Sequence, residues 1–309
     1  MSKKNLTKIG TALENSVKEY SEKDITISFS GGIDSTLVAF LANKYSNLEL
    51  IAVGVKDSHD LEAAKSAAKL INLDLTIKEM TESDIISEAL ILQKKLKLTQ
   101  FEVGFMLPFW IAAKNAKHSI LMCGQGADEV FGGYARFREA KNHPDLNKET
   151  KNLLEIIPKR ESKIAEIFGL ELSCPYLSKE VIETSKVYTQ GQHIGLKGKE
   201  KLREAAIDLG LPAEIANRKK KAAQYGSGIQ KVLKKSIKCE INFEIPFESS
   251  KIATSIKKAT DPENDGWVES IVEENIMKAK VKATNMGSLR EAAEDFMACI
   301  SVAENILKK

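Results

Sequence analysis

Ile25-Thr-Ile-Ser-Phe-Ser-Gly-Gly-Ile-Asp-Ser35 reads as a short apolar strand running into Ser-Gly-Gly-x-Asp-Ser and then into a helix. At such a junction Gly31 and Gly32 can take positive φ and bring backbone N–H groups close to an anion that no Cβ obstructs. The first amides of the following helix would face the same anion. Ser30 and Ser35 offer hydroxyl donors to phosphate oxygens, while a carboxylate in an anion site, Asp34, makes chemical sense as a ligand of Mg²⁺. An ordinary Gly-Gly turn before a capped helix would use the same residues. No Gly-x-x-x-x-Gly-Lys-Ser/Thr occurs in the chain, so the loop is not of the Walker type.

On either side of this loop the pattern alternates strand and helix. Leu6, Ile9, Leu13, Val17 and Tyr20 recur at helical spacing and predict an amphipathic helix ahead of the first strand. Leu48 to Val55, Leu73 to Glu79 and Ser119 to Cys123 read as further strands, with helices such as Leu61 to Leu70 and Ile85 to Leu96 between them. That alternation predicts a parallel α/β sheet with the site at the carboxyl ends of its strands. From Lys141 to Leu233 the pattern is mostly helical. Past Lys238 it changes again: Cys239, Ile241, Phe243 and Ile245 alternate with polar residues up to Pro246. A helix at Ser249 to Lys258 and strands at Trp267 to Val272 and Ile276 to Ala283 follow. Ser288-x-x-Glu291 reads as a capping box opening a last helix with Leu289, Ala293, Phe296, Ile300, Ala303 and Leu307 on one face. The chain thus divides into residues 1–235 and a small α+β domain of order βαββα over residues 236–309.

A length of 309 residues, 43% hydrophobic and 29% charged, accommodates two domains with a sizeable core. No long apolar run and no apolar leader occur, which predicts no membrane span and a cytoplasmic location. Cys123, Cys174, Cys239 and Cys299 show no C-x-x-C spacing and fit free thiols in a reducing compartment. None of the four histidines forms a recognisable metal pair. The net charge of +3 is too small to imply nucleic-acid binding by itself.

Ser30-Gly31-Gly32-Ile33-Asp34-Ser35 resembles the PP-loop of the ATP pyrophosphatases, which cleave ATP between the α- and β-phosphates. Ile51 to Lys65, Gly124-Gln-Gly-Ala-Asp-Glu-Val-Phe-Gly-Gly-Tyr134, Cys174-Pro-Tyr-Leu-Ser178, Lys199-Glu-Lys-Leu-Arg203, Leu211-Pro212 and Arg218-Lys-Lys220 are similar, in the same order, to the synthetase domain of asparagine synthetases. The resemblance implies ATP and Mg²⁺, with Asp34 and Asp128 as metal ligands. It also implies a nucleotide held by the PP-loop and Gly124, and the Gly54–Val55 backbone near the adenine. Lys220 and Lys199 match positions facing the adenylate, pyrophosphate and phosphates, where cations offset the charge that builds as the P–O bond breaks. Residues 218–221 can also be read as a solvated basic run.

The chain departs from that pattern at the acceptor side. Gln125 stands where the family has a glutamate, and it can hydrogen-bond but cannot take a proton. Ser173 stands where the family has an arginine suited to carboxylate binding, and Ser178 replaces an acid. Ser2 fills the place of the family's glutaminase cysteine, so ammonia would come from outside the chain. Residues 237 to 309, through Asp261-Pro-Glu-Asn, Asn285-Met-Gly-Ser-Leu-Arg-Glu-Ala and Ala303-Glu-Asn-Ile-Leu307, resemble the Pcc-type small subunit of the KEOPS complex, which modifies tRNA. That resemblance implies KEOPS-like partners, tRNA and a homodimer formed through this domain. Three functions follow. One is an adenylating ligase that forms AMP and pyrophosphate and passes a carboxylate to ammonia or an amine. Another is a tRNA-modification factor, with the Lys278, Lys280 and Lys282 row and the Arg218 to Lys221 run tracking RNA. The third is a binding module gated by nucleotide. Cys123 and Cys174 leave room for a sulfur-transfer variant.

Overall fold

The computed structural model describes residues 7–139, 145–218, 226–236, 239–261, 268–283 and 286–307. The chain forms two compact units, Met1–Gln230 and Lys231–Lys309.

The first unit is built on five parallel strands: β1 (Asp24–Ser28), β2 (Asn47–Gly54), β3 (Leu75–Glu79), β4 (Ile120–Met122) and β5 (Glu171–Ser173). Their order in the sheet is β3-β2-β1-β4-β5. The chain steps outward from β1 through β2 to β3, then returns to the other side of β1 for β4 and β5. The β1/β4 boundary is therefore the switch point at which loops leave the sheet in opposite directions and a crevice opens. β5 departs from the mostly helical reading of residues 141–233. At three residues it is too short to show periodicity, and its identity comes from parallel pairing with β4, Met122 opposite Ser173.

Helices cover the sheet because their apolar stripes match it. α1 (Lys8–Lys18) buries Ile9, Leu13 and Val17 and is capped by Thr7, whose side chain accepts from Gly10 N. Leu6 lies outside the described residues, and Tyr20 follows the helix end. α2 (Ile33–Ala42) carries Leu37, Val38 and Leu41 into the same core as Ile25 and Ile27 of β1, and α3 (His59–Leu70) adds Leu61, Ala64 and Ala67. Thr81 and Asp84 form a reciprocal capping box that starts α4 (Glu82–Leu96), and Thr99 and Glu102 form a second one at α5 (Gln100–Lys114).

The second unit follows the expected βαββα order: β6 (Cys239–Pro246), a helix Ser250–Thr260, β7 (Val268–Glu273), β8 (Ile276–Ala283) and a helix Met286–Leu307. The strands are antiparallel in the order β6-β8-β7. Met277, Ala279 and Val281 of β8 point into a core with Ala253, Ile256, Leu289, Phe296 and Ile300. The last helix begins at Met286, so Ser288 lies inside it and does not open it as the Ser-x-x-Glu signal predicted.

On the other face of β8, Lys278, Lys280 and Lys282 form the row that the sequence offered as an RNA track. The register sets Glu240 opposite Lys282, Glu244 opposite Lys278 and Glu269 opposite Lys280. Lys278 pairs with Glu273 at 2.5 Å, Lys282 with Glu269 at 2.5 Å and Lys280 with Glu240 at 3.5 Å. Each lysine is answered across the sheet by a carboxylate, so the row presents no uncompensated positive stripe to a phosphate backbone.

Two measurements check these readings. Gly31 has φ +70°, and a Cβ there would overlap the Ala63 carbonyl and the Ala64 nitrogen, whereas a Cβ on Gly32 would meet only Ser30 Oγ, at 3.5 Å. Gly31→Ala is expected to lower unfolding stability by about 2–4 kcal/mol, and Gly32→Ala by less than about 0.5 kcal/mol, read by denaturant titration. Replacing Lys278, Lys280 and Lys282 together by Gln is expected to change tRNA affinity by less than about twofold between low and moderate salt, read by fluorescence anisotropy. A drop of tenfold or more would restore the row as an RNA contact.

Candidate active site

The loop after β1 turns at Gly31, whose left-handed backbone passes directly beneath α3. Gly32 does not share that conformation, contrary to the expectation for both glycines: it is extended at φ −72°, ψ 162° and is the residue before the first turn of α2. Its side-chain-free surface leaves the helix amides open to an approaching group. Arg218 fastens this turn, donating from Nη1 to the carbonyls of Gly31 at 3.3 Å and Ala63 at 3.0 Å and from Nη2 to Ser66 Oγ at 3.0 Å. It is therefore a staple between loop and helix and not part of a solvated run. Ser30 Oγ and Ser35 Oγ lie 3.2 Å apart, and Ser30 N donates to Ser35 Oγ at 3.1 Å, so both hydroxyls converge inside the loop.

The loop after β4 presses against this one. A Cβ on Gly124 would stand 2.9 Å from Asp34 Cβ and 2.9 Å from Ser35 N, so the two loops touch only because position 124 is glycine. Tyr176, fully buried, donates its hydroxyl to the Asp34 carbonyl at 3.0 Å. The Cys-Pro-Tyr-Leu motif thereby supports the first turn of α2 from behind. Between the loops lies a cavity of about 230 Å³, bordered by the PP-loop residues, Ile51 to Val53, Gln125 and Asp128.

Lys199 borders the same cavity. Its side chain is 2% exposed. Its Nζ lies 2.7 and 2.6 Å from Asp34 Oδ1 and Oδ2, and 2.7 Å from Asp128 Oδ1. Lys199 has φ +58°, an unusual backbone for a residue with a Cβ, and it precedes the helix Glu200–Asp208. A Cβ on Gly133 would overlap Asp128 Oδ1 and Lys199 Cε. Gly133 is a site residue that its own sequence context did not single out; the only signal was the Gly132-Gly133 pair. The space between the two carboxylates accepts a cation, since an ammonium fills it, and hard oxygen donors suit Mg²⁺. No group of three or more His, Cys, Asp or Glu suited to a metal occurs among the described residues, so remaining ligands would be phosphate oxygens and water.

Glu129, beside Asp128, is held away from this cluster. Tyr134 donates to its Oε1 at 2.6 Å, and burial raises the Glu129 carboxyl above its ordinary range. Tyr134 in turn packs edge-on against Phe137 at 5.2 Å.

The acceptor-side residues are placed as follows. Gln125 lines the cavity and donates from Nε2 to Glu161 Oε1 at 3.2 Å. Ser173 is buried and does not line this cavity. Ser178 caps the helix Lys179–Ser185 by accepting from Val181 N. Cys123 Sγ and Cys174 Sγ are 3.6 Å apart. The neighbouring Cys123 thiol and burial push the Cys174 thiol well above its ordinary range, which opposes a nucleophilic thiolate.

Two expected nucleotide contacts are placed differently. Gly54 and Val55 do not border the cavity. The Gly54 carbonyl accepts from Met80 N at 3.0 Å, and Val55 N donates to the Ser227 carbonyl at 2.9 Å. Ile51, Ala52 and Val53 are the β2 residues that reach the cavity. Lys220 lies outside the described residues.

No helix among the described residues is long and apolar enough to cross a membrane. The asparagine synthase family profile matches residues 8–159 and 146–242, and that of transcription factor Pcc1 matches residues 240–308. A protein of Methanocaldococcus jannaschii assigned as a glutamine-hydrolysing asparagine synthetase is 33% identical over 273 residues, covering 74% of this chain and 50% of the relative. Asparagine synthetase B of Escherichia coli is 28% identical over 250 residues, covering 71% of this chain and 44% of the relative. The chain thus spans about half the length of these relatives. Among solved structures, an NH3-dependent NAD synthetase from Campylobacter jejuni is 16% identical, with 66% of this chain and 96% of that chain covered at a TM-score of 0.29. By the match over its first unit the chain belongs to the asparagine synthase family, and it carries a Pcc1 domain at its C-terminal end.

Proposed function

We propose that the chain is an ATP-dependent carbon–nitrogen ligase that adenylates a carboxylate, releases pyrophosphate, and passes the acyl group to ammonia or an amine. The observation that carries this reading is the pair Asp34 and Asp128, drawn from the first turns of the helices that follow β1 and β4 and joined through one buried ammonium. Family membership supports the same reaction class.

In this reading the substrate carboxylate attacks the α-phosphorus, the bond to the β-phosphate oxygen breaks, and AMP becomes the leaving group for the incoming nitrogen. The open amides at the start of α2, with Ser30 and Ser35, receive the phosphate oxygens. Asp34 and Asp128 would hold Mg²⁺, which when bound neutralises charge gathering on the pyrophosphate. Lys199, whose Nζ bridges the same two carboxylates, would supply a second positive charge from a site shielded from water, where its field is strong. Arg218 keeps the Gly31 turn closed against α3. Gln125 borders the acceptor side as a neutral amide.

The Pcc1 match favours a second role for the C-terminal domain, assembly with KEOPS-like partners. The glutamates facing Lys278, Lys280 and Lys282 give no support to direct RNA binding by that face, so a link to tRNA would run through the partners.

The test is the product pattern from ATP, followed by ³¹P NMR with a panel of carboxylic acids and ammonium. Wild type is expected to yield AMP and pyrophosphate. Asp34→Ala is expected to lose at least about 100-fold in rate. Gly133→Ala, which drives a methyl group into Asp128 and Lys199, should match that loss while leaving the fold intact by circular dichroism. ADP and phosphate as products would overturn the adenylating reading, and ATP binding with no cleavage in any arm would overturn it and leave a nucleotide-gated binding module.

A further inference from the structure

Behind the cavity wall lies an ion pair with no assigned purpose. Glu161, the first residue of the helix Glu161–Ile167, is completely buried. Arg160 grips it twice, from Nε to Oε2 at 3.1 Å and from Nη2 to Oε1 at 2.6 Å. The Arg160 guanidinium also lies 5.0 Å from the centre of the Phe105 ring. Neither Arg160 nor Glu161 borders the cavity, but both residues they touch, Phe105 and Gln125, do.

Burial this deep is costly for a carboxylate, and the bidentate Arg160 pair and the Gln125 hydrogen bond offset that cost. What Glu161 fixes is the direction of one amide. An ionised carboxylate only accepts hydrogen bonds, so Gln125 must present its nitrogen to Glu161, and the flip of the amide is decided by that partner. The oxygen of Gln125 is then the acceptor that the side chain offers to the cavity. Arg160 holds both oxygens of Glu161, so the carboxylate cannot turn to follow a rotating amide.

We propose that Glu161, locked by Arg160, is a positioning residue that aims the Gln125 amide oxygen at the N–H of the incoming amine. The inference rests on the adenylating reading and concerns its second half. There the nitrogen lone pair forms the C–N bond, the acyl C–O bond to AMP breaks, AMP departs with that electron pair, and the proton shed by nitrogen passes to the departing phosphate or to water. Positive charge builds on the nitrogen as it attacks. Its N–H becomes a stronger donor, and an acceptor fixed in advance stabilises that state more than the ground state. The amide oxygen takes the hydrogen bond and not the proton. The carboxylate absent from position 125 is thus replaced by a buried one at the start of the helix Glu161–Ile167, acting through a neutral amide.

The two half-reactions separate this role from a structural one. Adenylation is read as ATP–pyrophosphate exchange with a panel of carboxylic acids that includes aspartate. Transfer is read as hydroxamate formation, with hydroxylamine as the amine probe. Glu161→Gln, whose amide can present either end to Gln125, and Gln125→Met are both expected to lose at least about tenfold more in hydroxamate formation than in exchange. The loss should fall on kcat, with KM for ATP unchanged. Gln125→Glu combined with Glu161→Gln, which preserves one carboxylate and one amide in contact, is expected to recover transfer relative to Gln125→Met. Should Glu161→Gln fail to fold because Arg160 loses its partner, Gln125→Met leaves the ion pair intact and decides alone. Equal losses in both half-reactions, or unchanged transfer in Gln125→Met, would overturn the proposal. No exchange by wild type with any acid would contradict the adenylating reading itself and remove the step that Gln125 serves.

Discussion

The contact of one buried ammonium with two carboxylates organises the first unit. Lys199 reaches Asp34 and Asp128 from a helix start far away in sequence, and none of the three charges would be tolerable alone in so enclosed a place. Without the cation, two neighbouring carboxylates would repel. Much of the local backbone follows from bringing these groups together. Lys199 adopts a left-handed conformation that costs about 1 kcal/mol or more for a residue with a Cβ. Gly198 before it has φ +78°, and Gly133 leaves the volume that the Lys199 side chain crosses. The same cluster draws the loops after β1 and β4 into contact at the switch point of the sheet, where the cavity opens.

The loop from β1 to α2 was readable because its chemistry is local. An apolar strand, two glycines, a carboxylate and two hydroxyls fall within eleven consecutive residues, and their spacing alone proposes an anion cradle beside a cation site. Even so, only Gly31 takes positive φ. Gly32 is kept open for approach and not for its dihedral angle, a distinction that the sequence does not draw. Asp34 and Asp128, far apart in the chain, were brought together as metal ligands through ordered motifs resembling a family, not through periodicity, and Lys199, read there as a phosphate contact, was not expected to join them. β5 was missed because three residues carry no period. The engagement of Gly54 and Val55 by Met80 and Ser227 was hidden because it depends on a segment near residue 227 folding back onto the end of β2.

In the second unit, strict alternation exposed the strands, since a half-buried sheet face writes its period of two directly into the sequence. The same alternation misled about charge. Lys278, Lys280 and Lys282 read as a basic stripe when their strand is taken alone. Their partners, Glu240 on β6 and Glu269 and Glu273 on β7, become visible only once the register is known. Gln125 carries a parallel lesson. As a substitution in a motif it looked like a lost base, yet in three dimensions it is one end of a chain that runs through Glu161 to Arg160.

Under the proposed function, Asp34 and Asp128 form a single cation site serving a nucleotide's phosphates. Titration calorimetry with α,β-methylene-ATP, with and without Mg²⁺, on wild type and on Asp34→Ala and Asp128→Ala, tests this most directly. The account predicts tight binding by wild type that depends on Mg²⁺, with that dependence lost in either variant and affinity falling at least about tenfold. Binding that is equally strong in all three proteins and indifferent to Mg²⁺ would contradict it.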